Sequence, residues 1–144
     1  MRDADKTIGG MLDKQKVVYL SAVDADGFPQ TKAMLAPRVR EGIRVLYLTT
    51  NTSSQHVAQL RANPKACLYV CDTRFFRGVT LRGTVEVLED AASKEILWRL
   101  GDTMYYTKGV TDPDYCVLRF TVTHGRYYAS FKKEDFTLDK CEQA

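Results

Sequence analysis

The chain has 144 residues, 44% of them hydrophobic and 27% charged, with a formal net charge of +3. This length suits one domain over residues 1–144, burying roughly 68–70% of the surface its unfolded chain would expose. The positive charge is weak and scattered, and no apolar run approaches the ~18 residues of a spanning helix, so neither nucleic acid nor a membrane is expected as a partner.

The opening segment, MRDADKTIGGML, has acidic residues and no apolar core of a secretory signal. A cytoplasmic location is expected. Residues 16–24 (KVVYLSAVD) are apolar and β-branched, and the turn signal at 24–27 follows. Residues 30–37 read as the return strand. A second turn at 40–42 leads into a third strand over 43–50. A helix is expected over 53–62, then strands over 66–71 and 77–88. In the latter, Val79, Leu81, Gly83, Val85 and Val87 alternate with Thr80, Arg82, Thr84 and Glu86, which makes one buried and one wetter face. Asp90 is placed to cap a helix over 91–100. A polar connection over 101–114 surrounds Tyr105 and Tyr106. Two last strands, 117–122 and 126–131, flank a turn at His124-Gly125.

This inventory of six to seven strands and two helices indicates a mainly β protein, a small antiparallel barrel; two helices cannot cover both faces of a parallel sheet. Tyr105, Tyr106, Tyr127 and Tyr128 are candidates to cover an interface. Of the four cysteines, Cys67 and Cys71 would lie about 13 Å apart along one strand, too far for a disulfide or a shared metal. With Cys116 and Cys141 they are expected as free thiols, two or three of them buried. The two histidines, His56 and His124, have no ligand-spaced partners, so no metal is expected.

The densest signal is LYLTTNTSSQHVAQLRANPKACLY, residues 46–69. Thr52 precedes Gln55 by three, the spacing of a capping box. Thr49, Thr50, Ser53 and Ser54 surround the free N–H groups of the first helical turn, where the helix dipole favours an anion such as phosphate. The same pattern also describes an ordinary capped helix between strands.

Together with residues 27–35 (GFPQTKAML), this segment resembles the pyridoxamine 5′-phosphate oxidase-like family of FMN-binding split β-barrels, and within it the general stress protein 26-like proteins. The order of strand, Gly-x-Pro turn, strand with a cation, Thr-Thr, Ser, helix, Asn-Pro and strand runs from about Val17 to Val87. The resemblance implies FMN as cofactor and a homodimer with flavin at the subunit interface. It places Lys32 against the phosphate, and Ala33, Met34 and Leu35 along the flavin. Thr49 and Thr50 match the family's Tyr/Thr-Thr pair, and Ser54 its phosphate-side serine. Gln55 and His56 stand where many members have Arg-Lys, so two fixed charges are missing; His56 either partly replaces them as imidazolium or faces solvent.

The function implied is that of an FMN-binding flavoprotein, an oxidoreductase acting on a small molecule. The alternative is a non-catalytic flavin- or haem-binding stress-response module. Pyridoxamine 5′-phosphate oxidase activity itself is disfavoured: the tail, YYASFKKEDFTLDKCEQA, lacks that enzyme's Arg-x-His and Arg-Leu-x-Pro motifs, and Gly78 stands at its flavin-contacting glutamine. A ligand-free or nucleic-acid-binding barrel would have only Arg74-Phe75-Phe76-Arg77 as a basic aromatic run.

Overall fold

Period-two burial runs through the computed structural model, which describes residues 3–138. In chain order the elements are α1 (Ala4–Lys14), β1 (Val17–Val23), β2 (Pro29–Leu35), β3 (Val39–Glu41), β4 (Val45–Asn51), α2 (Gln55–Ala62), β5 (Lys65–Asp72), β6 (Arg77–Leu88), α3 (Ala91–Leu97), β7 (Tyr115–Ala129) and β8 (Lys132–Thr137). The strands hydrogen-bond in the order β2-β1-β5-β6-β7-β4-β3, with β8 also on β7. Every pairing is antiparallel. No helix among the described residues is long and apolar enough to cross a membrane.

Val18 and Leu20 of β1, Leu46 and Leu48 of β4, Leu68 and Val70 of β5, Val79 and Leu81 of β6, and Leu118 and Phe120 of β7 all point inward. Ile8, Met11 and Leu12 of α1 and Leu60 of α2 join the same core. The sequence reading left α1 unassigned. Its i, i+3, i+4 apolar spacing is present, but Gly9-Gly10 weakens the helical signal. The helix holds because Asp3 caps it, accepting from the Lys6 N–H at 3.1 Å, and because its apolar face is buried.

The β1–β2 hairpin is set by Asp24. Its Oδ1 accepts from the N–H groups of Asp26 and Phe28 at 2.9 Å each, and its Oδ2 from Gln30 Nε2 at 2.8 Å. Gly27 supplies the left-handed turn residue, φ +87°. This register places Lys32 opposite Leu20 and Ala33 opposite Tyr19.

Several boundaries differ from the sequence reading. There is no turn at His124-Gly125: β7 is one continuous strand, and β8, which was not expected, pairs with its second half. What looked like a break is a β-bulge. The register passes from Gly83↔Val122 to Arg82↔His124, leaving Thr123 extra. Gly83 is required there, because a Cβ would lie 1.9 Å from the Thr121 carbonyl oxygen. Gly125 is a close-approach residue as well, covered by the Phe136 ring. The segment expected as a turn at 40–42 contains most of the short strand β3, α2 begins at Gln55, and α3 ends at Leu97.

Cys67 and Cys71 are only half-buried, since Ala66, Leu68 and Val70 take the inward positions of β5; Cys116 is buried, and Cys141 lies outside the described residues. Tyr106 is packed inside the chain against Tyr115 and Trp98, so it is not free to cover an interface.

Gly83→Ala is expected to lower the unfolding free energy by about 1–3 kcal/mol through overpacking at the bulge. Gly10→Ala, where a Cβ meets nothing within 4 Å, should stabilise α1 by up to about 1 kcal/mol. Urea denaturation measures both, and an unchanged Gly83→Ala midpoint contradicts the account of the bulge.

Candidate functional site

Two cavities meet at Lys32. The first, about 330 Å³, has an apolar side formed by Val17, Ala33, Met34 and Leu35 of the β1–β2 hairpin. Thr49, Thr50 and Asn51 of β4 line it too, with Arg38, Asp102, Tyr105 and Tyr106. The second, also about 330 Å³, is polar and lies between β2 and the start of α2, lined by Gln30, Thr31, Lys32, Ser54, Gln55, His56 and Gln59. β2 ends the sheet, so among the described residues the backbone groups on its outer edge have no strand partner.

The start of α2 is built by short-range capping and one long-range carboxylate. Ser54, not Thr52, is the N-cap: its Oγ accepts from the Val57 N–H at 3.3 Å. Asp114 pins the preceding loop. Its carboxylate accepts from Asn51 Nδ2 at 3.0 Å and the Ser53 N–H at 2.8 Å, and its carbonyl from the Thr52 N–H at 2.8 Å. Those side-chain and backbone donors hold the Asp114 carboxyl below the usual carboxylate range. The Ser53 N–H is thereby taken. The N–H groups of Gln55 and His56 have no intrahelical acceptor and remain at the positive end of the helix.

His56 is turned inward, 6% exposed, and its Nε2 donates to the Leu20 carbonyl at 2.9 Å. Leu20 is the register partner of Lys32. The imidazole therefore ties the first turn of α2 to the strand pair that carries the lysine. Lys32 itself has no carboxylate partner among the described residues. The side-chain oxygen of Gln59 is buried without a hydrogen-bond partner.

Also lining the apolar cavity, Arg38 grips Asp102 through two parallel bonds, 2.5 and 2.8 Å, and donates to the Leu97 carbonyl at 2.9 Å. Asp102 also accepts from the Arg99 N–H at 2.9 Å. The guanidinium holds the Asp102 carboxyl below its ordinary range, and the carboxylate raises Arg38. Burial pushes the Tyr106 phenol up to about 12, so it stays protonated as a donor. Tyr105 stands at the rim, 69% exposed.

Lys32, Ala33, Met34, Leu35, Thr49 and Thr50 thus share one cavity, and Lys32, Ser54, Gln55 and His56 the other. Arg38, Gln59 and Asp102 escaped the sequence reading, and Tyr105 and Tyr106, expected at an interface, line the apolar cavity.

The pyridoxamine 5′-phosphate oxidase family model matches residues 4–129, and the chain belongs to that family. A solved structure from Clostridium acetobutylicum, a protein related to general stress protein 26 of B. subtilis (pyridoxinephosphate oxidase family), is 38% identical, covers 94% of each chain and superposes with a TM-score of 0.86. A heme binding protein from Mycobacterium smegmatis shares the fold at 18% identity and TM-score 0.76, over 95% of this chain and 59% of its own. An F420 reductase does so at 24% identity and TM-score 0.63, over 81% and 93%. No curated protein matches the sequence. With these relatives, the antiparallel sheet is a split barrel.

Asp102→Asn leaves the Arg38 charge without its counter-ion and is expected to cost about 3–5 kcal/mol at pH 7. The folded carboxyl sits below its unfolded value, so its contribution is present above about pH 4 and lost as pH falls through the folded value. The gap between wild type and variant should therefore narrow in acid. Denaturation at pH 7 and pH 3 measures it, and a constant gap contradicts the assignment.

Proposed function

We propose that the chain binds FMN across the two cavities joined at Lys32 and uses it as an oxidoreductase on a small molecule. The observation that carries this reading is the shared lysine: an apolar, aromatic-rimmed cavity and a polar cavity at a helix N-terminus meet at one fixed cation. The 5′-phosphate fits the polar side, against Lys32, Ser54 and the N–H groups of Gln55 and His56. The unpartnered Gln59 oxygen is suited to a hydroxyl donor, which a ribityl chain supplies. The ring system fits the apolar side, along Ala33, Met34 and Leu35.

Flavin supplies hydride and electron transfer when bound. The protein's part is to bind, to orient and to keep water out. Tyr106 offers a protonated hydroxyl at the cavity, and the Arg38–Asp102 pair fixes its far wall. Among the described residues no histidine or cysteine lines the apolar cavity, and His56 Nε2 is engaged by Leu20.

Val17, Tyr19, Leu35 and Tyr69 are 42–48% exposed on the outward face of β1, β2 and β5. Register sets Val17 beside Leu35 and Tyr19 beside Tyr69. Val17 and Leu35 also line the apolar cavity, so a second copy of the chain on this face would close the flavin site. We take the working unit to be a homodimer. Light scattering at micromolar concentration with FMN present should give twice the chain mass, and a monomer mass contradicts it.

Calorimetric titration with FMN and riboflavin tests the phosphate assignment. Wild type should prefer FMN by about ten-fold or more, the worth of one charge-assisted hydrogen bond. Lys32→Gln should remove most of that preference. His56→Ala should lower stability by about 1–3 kcal/mol through the lost buried bond yet keep the preference. Equal affinity of wild type for the two flavins would sink the reading.

A further inference from the structure

The outward face of the sheet changes character two residues from the apolar patch. Register aligns Thr31, Ser21, Cys67, Arg82, His124 and Thr137 in one row, one residue from each of β2, β1, β5, β6, β7 and β8. Two cavities, of about 470 and 640 Å³, open along this row, and Arg82 and His124 line both. The β-bulge residues Gly83 and Thr123 line the smaller of the two. Bulges commonly re-aim side chains beside functional sites.

The bulge residue also orients the histidine. Thr123 Oγ1 lies 3.2 Å from the Arg82 carbonyl and 2.9 Å from His124 Nδ1. Nδ1 is thereby engaged, and Nε2 is left for a ligand. Arg82 is exposed, and its guanidinium has no hydrogen-bond or ion-pair partner among the described residues. The acid that lines the larger cavity, Asp135, is held by Arg126 at 2.7 Å. Lys65 adds a further cation at the smaller cavity.

We propose that Arg82 and His124 form an oxyanion site, separate from the one at Lys32, for the phosphate monoester or carboxylate group of a ligand. The planar guanidinium fork suits either oxyanion, and an imidazole N–H at Nε2 donates to it. The charged and titratable groups around the ring are Arg82 on β6, Lys65 and Cys67 on β5, Arg126 on β7 and Asp135 on β8. The site does not rest on the flavin reading.

The chain has two histidines, so NMR of their Cε1–H signals reports on both sites at once. The full-length protein is titrated with inorganic phosphate and, separately, with acetate, at constant ionic strength. The His124 signal should shift saturably in the millimolar range. Arg82→Gln, at an exposed position, should weaken that response about ten-fold or more, while Lys32→Gln should leave it unchanged. A stronger response to phosphate identifies a phosphate monoester, and a comparable response to acetate identifies a carboxylate. A shift that never saturates, or one that Arg82→Gln leaves intact, overturns the site. Loss of FMN binding in Lys32→Gln with the His124 response intact keeps the two assignments distinct.

Discussion

The structure depends on how β7 is hydrogen-bonded. One edge of this strand runs beside β6 from Gly78 to Leu88, while the other is divided between β4 and β8. The division occurs at the bulge, where Gly83 approaches the Thr121 carbonyl too closely for any side chain. Before the bulge, β7 aligns Thr49 and Thr50 of β4 opposite Val117 and Cys116. Beyond it, β7 turns Arg82 and His124 onto the outward face. Asp114, just ahead of β7, reaches back to set the loop that opens α2. Both the β4 wall of the apolar cavity and the placement of Arg82 beside His124 follow from this one strand.

Two buried polar links convert that frame into a rigid site. The His56–Leu20 bond fastens the α2 N-terminus to the strand pair bearing Lys32. The Arg38–Asp102 pair fastens the 3₁₀ turn at Leu100–Met104 to the segment after β2. Removing one partner of such a link costs more than the link adds, because the other is left buried and unsatisfied. The departure at Gln55-His56 thus has a physical sense. A long cationic side chain at position 56 would have to bury its charge or give up the Leu20 bond; in the proposed complex the anion falls to Lys32 and the backbone N–H groups instead.

Where burial alternates cleanly, as in β1, β4, β5 and β6, the strands were legible from the residues alone. β8 was not, because KKEDFT is mostly polar and its main inward contact is Phe136 on Gly125. His124-Gly125 read as a turn since glycine in a strand marks either a turn or a close approach, and only the packed ring decides between them. The Ser/Thr-rich helix start and Lys32 belong to local motifs and were visible. Arg38 and Asp102 are 64 residues apart and meet only through the fold. Tyr106 lay in a segment without periodicity, and its burial against Trp98 and Tyr115 is tertiary.

The central claim is that one flavin spans both cavities through Lys32. The most direct measurement is a crystal structure of the protein with FMN. The account predicts the phosphate within hydrogen-bonding distance of Lys32 Nζ and the N–H groups of Gln55 and His56, with the ring along Ala33–Leu35 and a second protomer closing the site. An FMN whose phosphate lies away from Lys32 and the start of α2, or whose ring lodges outside the apolar cavity, would contradict it.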